Sequence, residues 1–367
     1  MSALRQFTLD GSFAMKRGTL QRPTFAYETW GQLNTERSNT VLVFTGLSPS
    51  AHIASSEDDP ANGWWEDMVG PDKPIDTGRY FVVCVNSLGS CFGSTGPASI
   101  DPATGEIYRL RFPVLHVEDI AAGGAEILNH LGIEQADTVL GASMGGMTAL
   151  AFAMLHPRRA RQLVAISSSA RSLPFSIAIR SLQREMIRRD TAWQNGNYPP
   201  DAPPVTGMQL ARKLGMITYR SADEWAERFG RERVTDRPPV DHPFGMDFEV
   251  ESYLEAHAAK FVGSFDANCY LYLSRAMDLF DATDHGGSLE QALSRVQVKR
   301  AMIIGVDTDF LFPVEQQEEL AIGLQKQVGE VIFHRLASIQ GHDSFLVDMD
   351  RFRPVMARFF SGQDAPV

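Results

Sequence analysis

The chain has 367 residues, 44% hydrophobic and 22% charged, so it can form one large α/β domain with an insertion or two ordinary domains. Its formal net charge of −11 argues against nucleic-acid binding, since no surplus of basic residues exists to neutralise phosphates. Three scattered cysteines are too few for a disulfide framework. No signal peptide is apparent, and no apolar run approaches the roughly 20 residues that cross a bilayer. We therefore expect a cytoplasmic protein that does not enter a membrane.

Short apolar runs of β-type residues alternate along the chain with helical patterns. This alternation predicts an α/β protein with a mostly parallel sheet that is flanked by helices. The predicted strands are residues 40–44, 80–85, 137–140, 162–166, 301–305 and 331–336. Amphipathic helices are predicted at residues 116–131 and 313–327.

The rhythm changes between residues 172 and 293, where strand-like runs disappear. Helical stretches there are interrupted by loops such as residues 195–206 and 236–244. Because strand patterns resume near residue 299, this segment is interpreted as a helical lid inserted into one sheet. Residues 1–171 and 294–367 are then expected to form a single discontinuous core.

A glycine-rich motif follows the predicted strand 137–140. Residues 141–145 read GASMG, a G-x-S-x-G, and a helix-compatible stretch comes next. Small residues suit this place because a tight strand-to-helix turn strains the backbone and brings the two elements close together. The turn would put Ser143 at a helix N-terminus, where backbone N–H groups stabilise negative charge. Ser143 is the predicted nucleophile of an α/β-hydrolase fold; the alternative is a glycine-rich turn with an inert serine.

A serine hydroxyl needs a neighbouring base, and in this fold the partners follow in the order Ser, Asp or Glu, His. Of the nine histidines, only His334 and His342 lie late enough. His334 falls inside a predicted strand, whereas His342 follows that strand in a loop, so His342 is the predicted base. Asp307 and Asp309 both follow the strand 301–305, and spacing alone does not separate them as the acid.

The oxyanion hole should combine the N–H after the nucleophile with one from the loop after an early strand. Residues 44–52, FTGLSPSAH, occupy that loop. The backbone N–H groups of Leu47 and Met144 are therefore the predicted donors. His52 precedes the nucleophile in sequence, so we expect it to line the pocket and not to act as the base.

Longer stretches of the sequence go beyond the fold. Residues 62–105, together with GASMGGMTAL, TDFLFP and GHDSF, closely resemble the homoserine O-acyltransferase family, and the match extends over nearly the whole chain. Members transfer an acyl group from acyl-coenzyme A to the hydroxyl of homoserine or serine through an acyl-serine. The resemblance implies that Asp309 is the acid, since it matches the aspartate of the family's S/T-D-x-L-F/Y-P pattern. It also implies a homodimer, with acyl-CoA as co-substrate and neither a cofactor nor a metal.

The resemblance also supplies amino-acid-binding positions, namely Arg212, Tyr219 and Asp343. Arg212 would take the substrate carboxylate in a bidentate fork, and Asp343 would take its ammonium group.

Departures from the better-known acetyltransferases, at residues 50–56 and 86–91, resemble the serine O-succinyltransferase branch, which acts in cysteine synthesis. That branch implies succinyl-CoA and L-serine as substrates. The positions then expected near the pocket, with a part in specificity, are His52, Ile53, Ala54 and Ser55. Three alternatives stay open: transfer of succinyl or acetyl to homoserine in methionine synthesis, an esterase or thioesterase of the same fold, and a non-catalytic protein that keeps the fold.

Three arginines in the lid, Arg180, Arg184 and Arg188, recur at the spacing of one helical face. The free carboxylate of a succinyl group or the phosphates of CoA would suit such a row. A solvated helix face would show the same pattern. Arg180 is the expected contact for the succinyl carboxylate, with Arg184 and Leu311 as further positions of acyl-CoA specificity.

Overall fold

The computed structural model describes residues 3–235 and 243–363. Most of the predicted loop 236–244 therefore lies outside the described residues. The strands are β1 (Arg5–Thr8), β2 (Ser12–Met15), β3 (Gly18–Gln21), β4 (Thr24–Trp30), β5 (Thr40–Phe44), β6 (Val69–Gly70), β7 (Ile75–Asp76), β8 (Phe81–Val85), β9 (Ala136–Ala142), β10 (Ala160–Ile166), β11 (Arg300–Val306) and β12 (Glu330–Leu336).

Eight of these strands form one sheet in the order β1-β4-β8-β5-β9-β10-β11-β12. Strands β8, β5, β9, β10, β11 and β12 are neighbours in this order and run parallel to one another. They correspond to the six predicted strands. β1 and β4 extend the sheet in antiparallel fashion at one edge. The sequence interpretation missed these two strands; β1 is a short, largely exposed edge strand without an apolar run.

The helices are α1 (Val117–His130), α2 (Met144–Leu155), α3 (Pro174–Arg189), α4 (Val205–Tyr219), α5 (Ala222–Phe229), α6 (Glu249–Phe261), α7 (Ala267–Leu279), α8 (Leu289–Leu293), α9 (Val314–Gln325), α10 (Ser344–Val347) and α11 (Met349–Ser361). Helices α3 to α8 lie between β10 and β11, in the segment predicted as the lid. No helix within the described ranges has the length and apolar character that crossing a bilayer requires.

Both faces of the sheet are covered, which is why its central strands are mostly apolar. All five residues of β5 are buried. Leu42 and Phe44 join the core on the side of α1 and α2, whereas Val41 and Val43 join the core on the side of α11. The parallel strands therefore end along one edge of a rigid platform, and the loops after β9, β11 and β12 meet there. These loops carry the predicted catalytic side chains.

Candidate active site

Ser143 lies in a strained turn between β9 and α2. Its φ of 57° and ψ of −124° define a backbone conformation that residues other than glycine rarely adopt. The flanking glycines allow the turn to form, because a Cβ at Gly145 would lie 2.2 Å from the carbonyl oxygen of Phe44. A Cβ at Gly141 would lie 2.1 Å from the backbone of Gly145. The turn thus requires small residues where G-x-S-x-G supplies them.

The structure brings Ser143, His342 and Asp309 into one hydrogen-bonded relay. The Ser143 hydroxyl donates to Nε2 of His342 at 2.8 Å, and Nδ1–H of His342 donates to Oδ2 of Asp309 at 2.7 Å. The other oxygen of Asp309 accepts the backbone N–H groups of Leu311 and Phe312 at 3.0 and 2.8 Å. Asp309 is therefore held as an acceptor, with its side chain buried.

Sequence spacing could not choose between Asp307 and Asp309 as the acid, but the structure places the two side chains differently. Asp307 turns outward and forms an ion pair with Arg335 of β12, and both side chains are solvent-accessible. It makes no contact with His342 in the described hydrogen bonds and ion pairs, whereas Asp309 does.

Aromatic rings surround the His342 imidazole. Phe312 stacks on it with ring centroids 5.1 Å apart, and Phe345 meets it edge-on at 5.9 Å. Burial lowers the pKa of His342, but the carboxylates of Asp309 and Asp343 together more than compensate, and the pKa is raised above its ordinary value. With Nδ1–H committed to Asp309, Nε2 is the nitrogen that can accept the Ser143 proton.

A cavity of about 140 Å³ opens above this relay, and both the core and the lid contribute to its wall. Leu47, in the loop after β5, lies in the wall. Met144 is the first residue of α2, so its N–H is at a helix N-terminus. Met144 thus follows Ser143 directly, and Leu47 lines the same cavity as Ser143; their roles as oxyanion donors stay predictions.

The predicted amino-acid-binding residues Arg212, Tyr219 and Asp343 line the same cavity. Nε of Arg212 is buried without a hydrogen-bond partner, and the guanidinium lies 4.6 Å from the ring centroid of Phe261. The Tyr219 ring lies 6.0 Å from that of His342, and burial raises the pKa of its hydroxyl. Burial also raises the pKa of Asp343, although nearby cations, including His342 and Arg212, oppose the shift.

The three lid arginines do not form one cluster: Arg180 and Arg184 share a carboxylate partner, whereas Arg188 lies apart from them. Arg180 lines the cavity, and its Nη1 is buried without a hydrogen-bond partner. Arg184 does not line the cavity; its guanidinium binds Asp278 at 2.6 Å and the Ser274 hydroxyl at 2.9 Å. Arg188 is exposed and lies over the Trp193 ring at 5.9 Å.

One buried carboxylate, Asp278 of α7, serves both inner arginines. Its Oδ1 accepts from Nε of Arg180 at 2.6 Å, while Oδ2 lies 2.6 Å from Nη2 of Arg184. Two guanidinium charges thus face one carboxylate, which leaves a positive excess beside the cavity. Sequence reasoning missed Asp278, since an aspartate in a helix carries no motif. Leu311, the remaining predicted specificity residue, lies in the cavity wall.

The expectation that His52 lines the pocket is wrong. Its Nδ1 pairs with Glu28 of β4 at 2.9 Å, and its Nε2 with the Ala61 carbonyl at 2.8 Å. Ile53 and Ala54 are fully buried, and Ser55 binds Glu66 through its hydroxyl at 2.8 Å.

This segment reaches the cavity only indirectly. The backbone N–H of Trp64 donates to the His52 carbonyl, and Trp64 is itself part of the cavity wall. A role of residues 52–55 in substrate specificity therefore stays a prediction. Such a role would be exerted through Trp64. Further wall residues that sequence reasoning missed are Trp64, Gln183, Tyr270, Met277 and Phe345.

Comparison with known proteins gives consistent matches over nearly the full length. The family model for the alpha/beta hydrolase fold matches residues 39–346. A serine O-succinyltransferase of Litchfieldella anticariensis is 56% identical over 98% of both chains. One of Stenotrophomonas maltophilia is 57% identical over 97% of this chain and 96% of its own.

Two solved structures are similar in fold. The homoserine O-acetyltransferase from Bacillus anthracis superposes with a TM-score of 0.90 at 28% identity and covers both chains completely. Esterase E22 superposes with a TM-score of 0.87 at 27% identity, over 97% of this chain and 99% of that one.

Proposed function

The chain belongs to the serine O-succinyltransferases of the α/β-hydrolase fold, and we propose that it moves a succinyl group from succinyl-CoA to L-serine by way of Ser143. The observation that carries the proposal is a Ser143–His342–Asp309 relay that opens into a cavity holding Arg212 and Asp343. The relay supplies acyl chemistry, and the two charged residues supply a site for an amino acid.

The first half-reaction acylates the enzyme. His342 takes the hydroxyl proton of Ser143 at Nε2, and Oγ attacks the thioester carbonyl of succinyl-CoA. The tetrahedral oxyanion forms next to the backbone N–H groups of Leu47 and Met144, which we assign as its donors. Collapse breaks the C–S bond, and the departing thiolate takes the proton from His342. The succinyl group then remains as an ester on Ser143.

The second half-reaction passes the group to the amino acid. The L-serine hydroxyl gives its proton to His342 and attacks the ester carbonyl. Collapse of the second tetrahedral intermediate breaks the bond to Ser143 Oγ, which recovers the proton from His342. The product is O-succinylserine, and the enzyme is ready for another donor.

The acceptor is held by opposite charges at its two ends. The guanidinium of Arg212 lines the cavity, and its buried Nε has no hydrogen-bond partner in the protein. This positively charged donor suits the α-carboxylate of the acceptor. Asp343 suits the α-ammonium group, and Tyr219 fills the wall beside His342. With both ends held, the acceptor hydroxyl would lie close to the acyl carbon, which raises its effective concentration above that of water.

The donor is recognised by charge at the other end of the acyl chain. The free donor on Arg180 and the positive excess that Arg180 and Arg184 leave against Asp278 suit the terminal carboxylate of a succinyl group. An acetyl group has no such carboxylate. Roofing by the lid also favours transfer over hydrolysis, because it keeps water from the ester.

We further infer a homodimer in the cytoplasm that uses acyl-CoA as co-substrate and needs neither cofactor nor metal. The family resemblance supports the homodimer, the co-substrate and the lack of cofactor and metal, whereas the location rests on the scattered cysteines and the absence of an apparent signal peptide. Leu182 of α3 and Leu210 and Ile217 of α4 leave an apolar lid surface that a second copy would cover.

The test is a matrix of two donors, succinyl-CoA and acetyl-CoA, against two acceptors, L-serine and L-homoserine, with release of CoA followed in each. We expect the highest kcat/KM for succinyl-CoA with L-serine. A preference for acetyl-CoA with L-homoserine would contradict the assignment and favour a homoserine acetyltransferase. Full-rate CoA release without any amino acid would instead identify a hydrolase.

A further inference from the structure

Arg220, the residue directly after α4, connects the lid with the loop that carries His342. Its Nη1 donates to Oε1 of Glu224 at 3.2 Å and to Oε1 of Gln340 at 3.0 Å. Its Nε lies 3.4 Å from Oδ2 of Asp343. The side chain is 16% exposed and lines an open outer groove, whereas its partner Asp343 lines the active-site cavity. Neither the catalytic relay nor the proposed acceptor contacts of Arg212 and Tyr219 involve this arginine.

The backbone on both sides keeps Arg220 in this place. A Cβ at Gly341 would lie 2.8 to 2.9 Å from the Arg220 and Ser221 backbone, so the two segments are pressed together. The Ser221 hydroxyl donates to the carbonyl of Ile339 in the same loop. Arg220 thus has two anchors besides Asp343, and its orientation does not depend on that carboxylate.

Asp343 needs such support if it is to bind an amino group. Its burial favours the neutral acid, which cannot pair with an ammonium ion. Among the described residues, Arg220 is the one whose side chain forms an ion pair with the Asp343 carboxylate. The pair involves Oδ2, which leaves Oδ1 for a ligand. The positive charge of Arg220 is itself offset by Glu224, so repulsion of an incoming ammonium group is reduced.

We propose that Arg220 is a positioning residue, which holds the Asp343 carboxylate charged and oriented for the α-amino group of the acceptor without touching the acceptor itself. This inference rests on the proposed function, because it assumes that an amino acid binds at Asp343. It predicts that loss of Arg220 impairs the use of the acceptor and spares acylation of Ser143.

The experiment compares Arg220→Gln and Arg220→Lys with the control Arg228→Gln. Arg228 lies beside the same Glu224, at 3.6 Å, and faces the same outer groove, yet it has no described contact with Asp343. Two quantities are measured for each variant: the KM for L-serine, and the single-turnover burst of CoA released from succinyl-CoA without an acceptor. Thermal unfolding is recorded alongside.

For Arg220→Gln we expect the KM for L-serine to rise about tenfold, because the charge-assisted contact that supports Asp343 is lost. The CoA burst should stay within about twofold of wild type. Arg220→Lys keeps the charge but cannot bind all three partners, so its KM should fall between those of wild type and Arg220→Gln. Arg228→Gln should match wild type in both measurements.

Two results would overturn the inference. One is an unchanged KM for L-serine in Arg220→Gln. The other is a burst that falls in parallel with the use of L-serine, which would show that Arg220 only maintains the catalytic loop. If Arg220→Gln does not fold, Arg220→Lys decides by the same criteria. Failure of wild type to use L-serine would contradict the proposed function alone, since the KM comparison can be made with L-homoserine, which carries the same α-amino group.

Discussion

The core and the lid contribute to the active site in different ways. The core supplies the relay, and each member follows the end of a parallel strand: Ser143 after β9, Asp309 after β11 and His342 after β12. The lid supplies charged side chains from helices, chiefly Arg180 of α3 and Arg212 of α4. Strand order places the first group, whereas packing between helices distant in sequence places the second.

This difference separates chemistry from selection. A serine relay acylates in the same way in an esterase and in a transferase, and the fate of the acyl group depends on which molecule reaches the ester. We therefore expect substitutions in the relay to abolish all turnover. Substitutions in the lid should change which donor or acceptor is used, and by smaller factors.

The largest effect is expected from Ser143→Ala. Removal of the nucleophile should lower the rate of transfer by about 10⁶-fold, as for other serine relays. The fold should be retained, because the strained turn is built by the flanking glycines and not by the hydroxyl. CoA release and thermal unfolding measure the two quantities. Turnover of succinyl-CoA near the wild-type rate would refute the assignment of the nucleophile.

Asp309→Asn should rank second, with kcat lower by about 10⁴-fold, because an amide at this place favours the wrong tautomer of His342. The matched control is Asp307→Asn, on the same loop but paired outward with Arg335. Steady-state kinetics of both variants test the comparison. Equal losses in the two would mean that the relay does not run through Asp309.

Arg212→Gln tests the lid at the acceptor end. We expect the KM for L-serine to rise about 100-fold, since a bidentate charged contact is lost, while the acceptor-free burst of CoA is kept. A burst that disappears together with transfer would place Arg212 in the chemistry and would break the distinction between lid and core.

Arg180→Met tests the lid at the donor end. The preference for succinyl-CoA over acetyl-CoA, as a ratio of kcat/KM, should fall about tenfold, the effect of one charge-assisted contact. Arg188→Gln is the control on the same helix, since Arg188 is exposed and lies over Trp193. An unchanged donor ratio in Arg180→Met would remove Arg180 from donor recognition.

The smallest effect concerns pH. Since the pKa of His342 is raised, kcat/KM for succinyl-CoA should fall by about tenfold per pH unit below that pKa, where the imidazole is protonated and cannot accept a proton. The profile should be measured with succinyl-CoA as the varied substrate. A profile with varied L-serine would also contain the titration of Asp343, whose pKa is raised and which is proposed to bind the acceptor. If kcat/KM falls only at or below the pKa of a free histidine, the carboxylates do not raise the pKa of His342, and this part of the account is wrong.

The same difference between core and lid explains how far the sequence predicted this site. The parallel strands and Ser143 were predictable, because they depend on apolar runs and on a turn that only small residues permit. His342 was predictable from chain order. Spacing could not choose between Asp307 and Asp309, because the choice depends on where the backbone turns, and there the resemblance to a family was needed.

The remaining errors share one cause, a partner distant in sequence. His52 was expected in the pocket, but it binds Glu28 on β4, a strand that was not predicted. Arg184 was grouped with Arg180, but its guanidinium pairs with Asp278 on α7 and does not line the cavity. No local pattern reveals such pairs, since each is created when the chain folds.

The central claim is that Ser143 carries the succinyl group between donor and acceptor. The most direct measurement is rapid-quench peptide mapping by mass spectrometry, after mixing the enzyme with succinyl-CoA and no amino acid. The account predicts one added succinyl group on the peptide that contains Ser143, and its loss as O-succinylserine appears once L-serine is added. Transfer to L-serine at the full rate with no succinylated Ser143 at any time would contradict it.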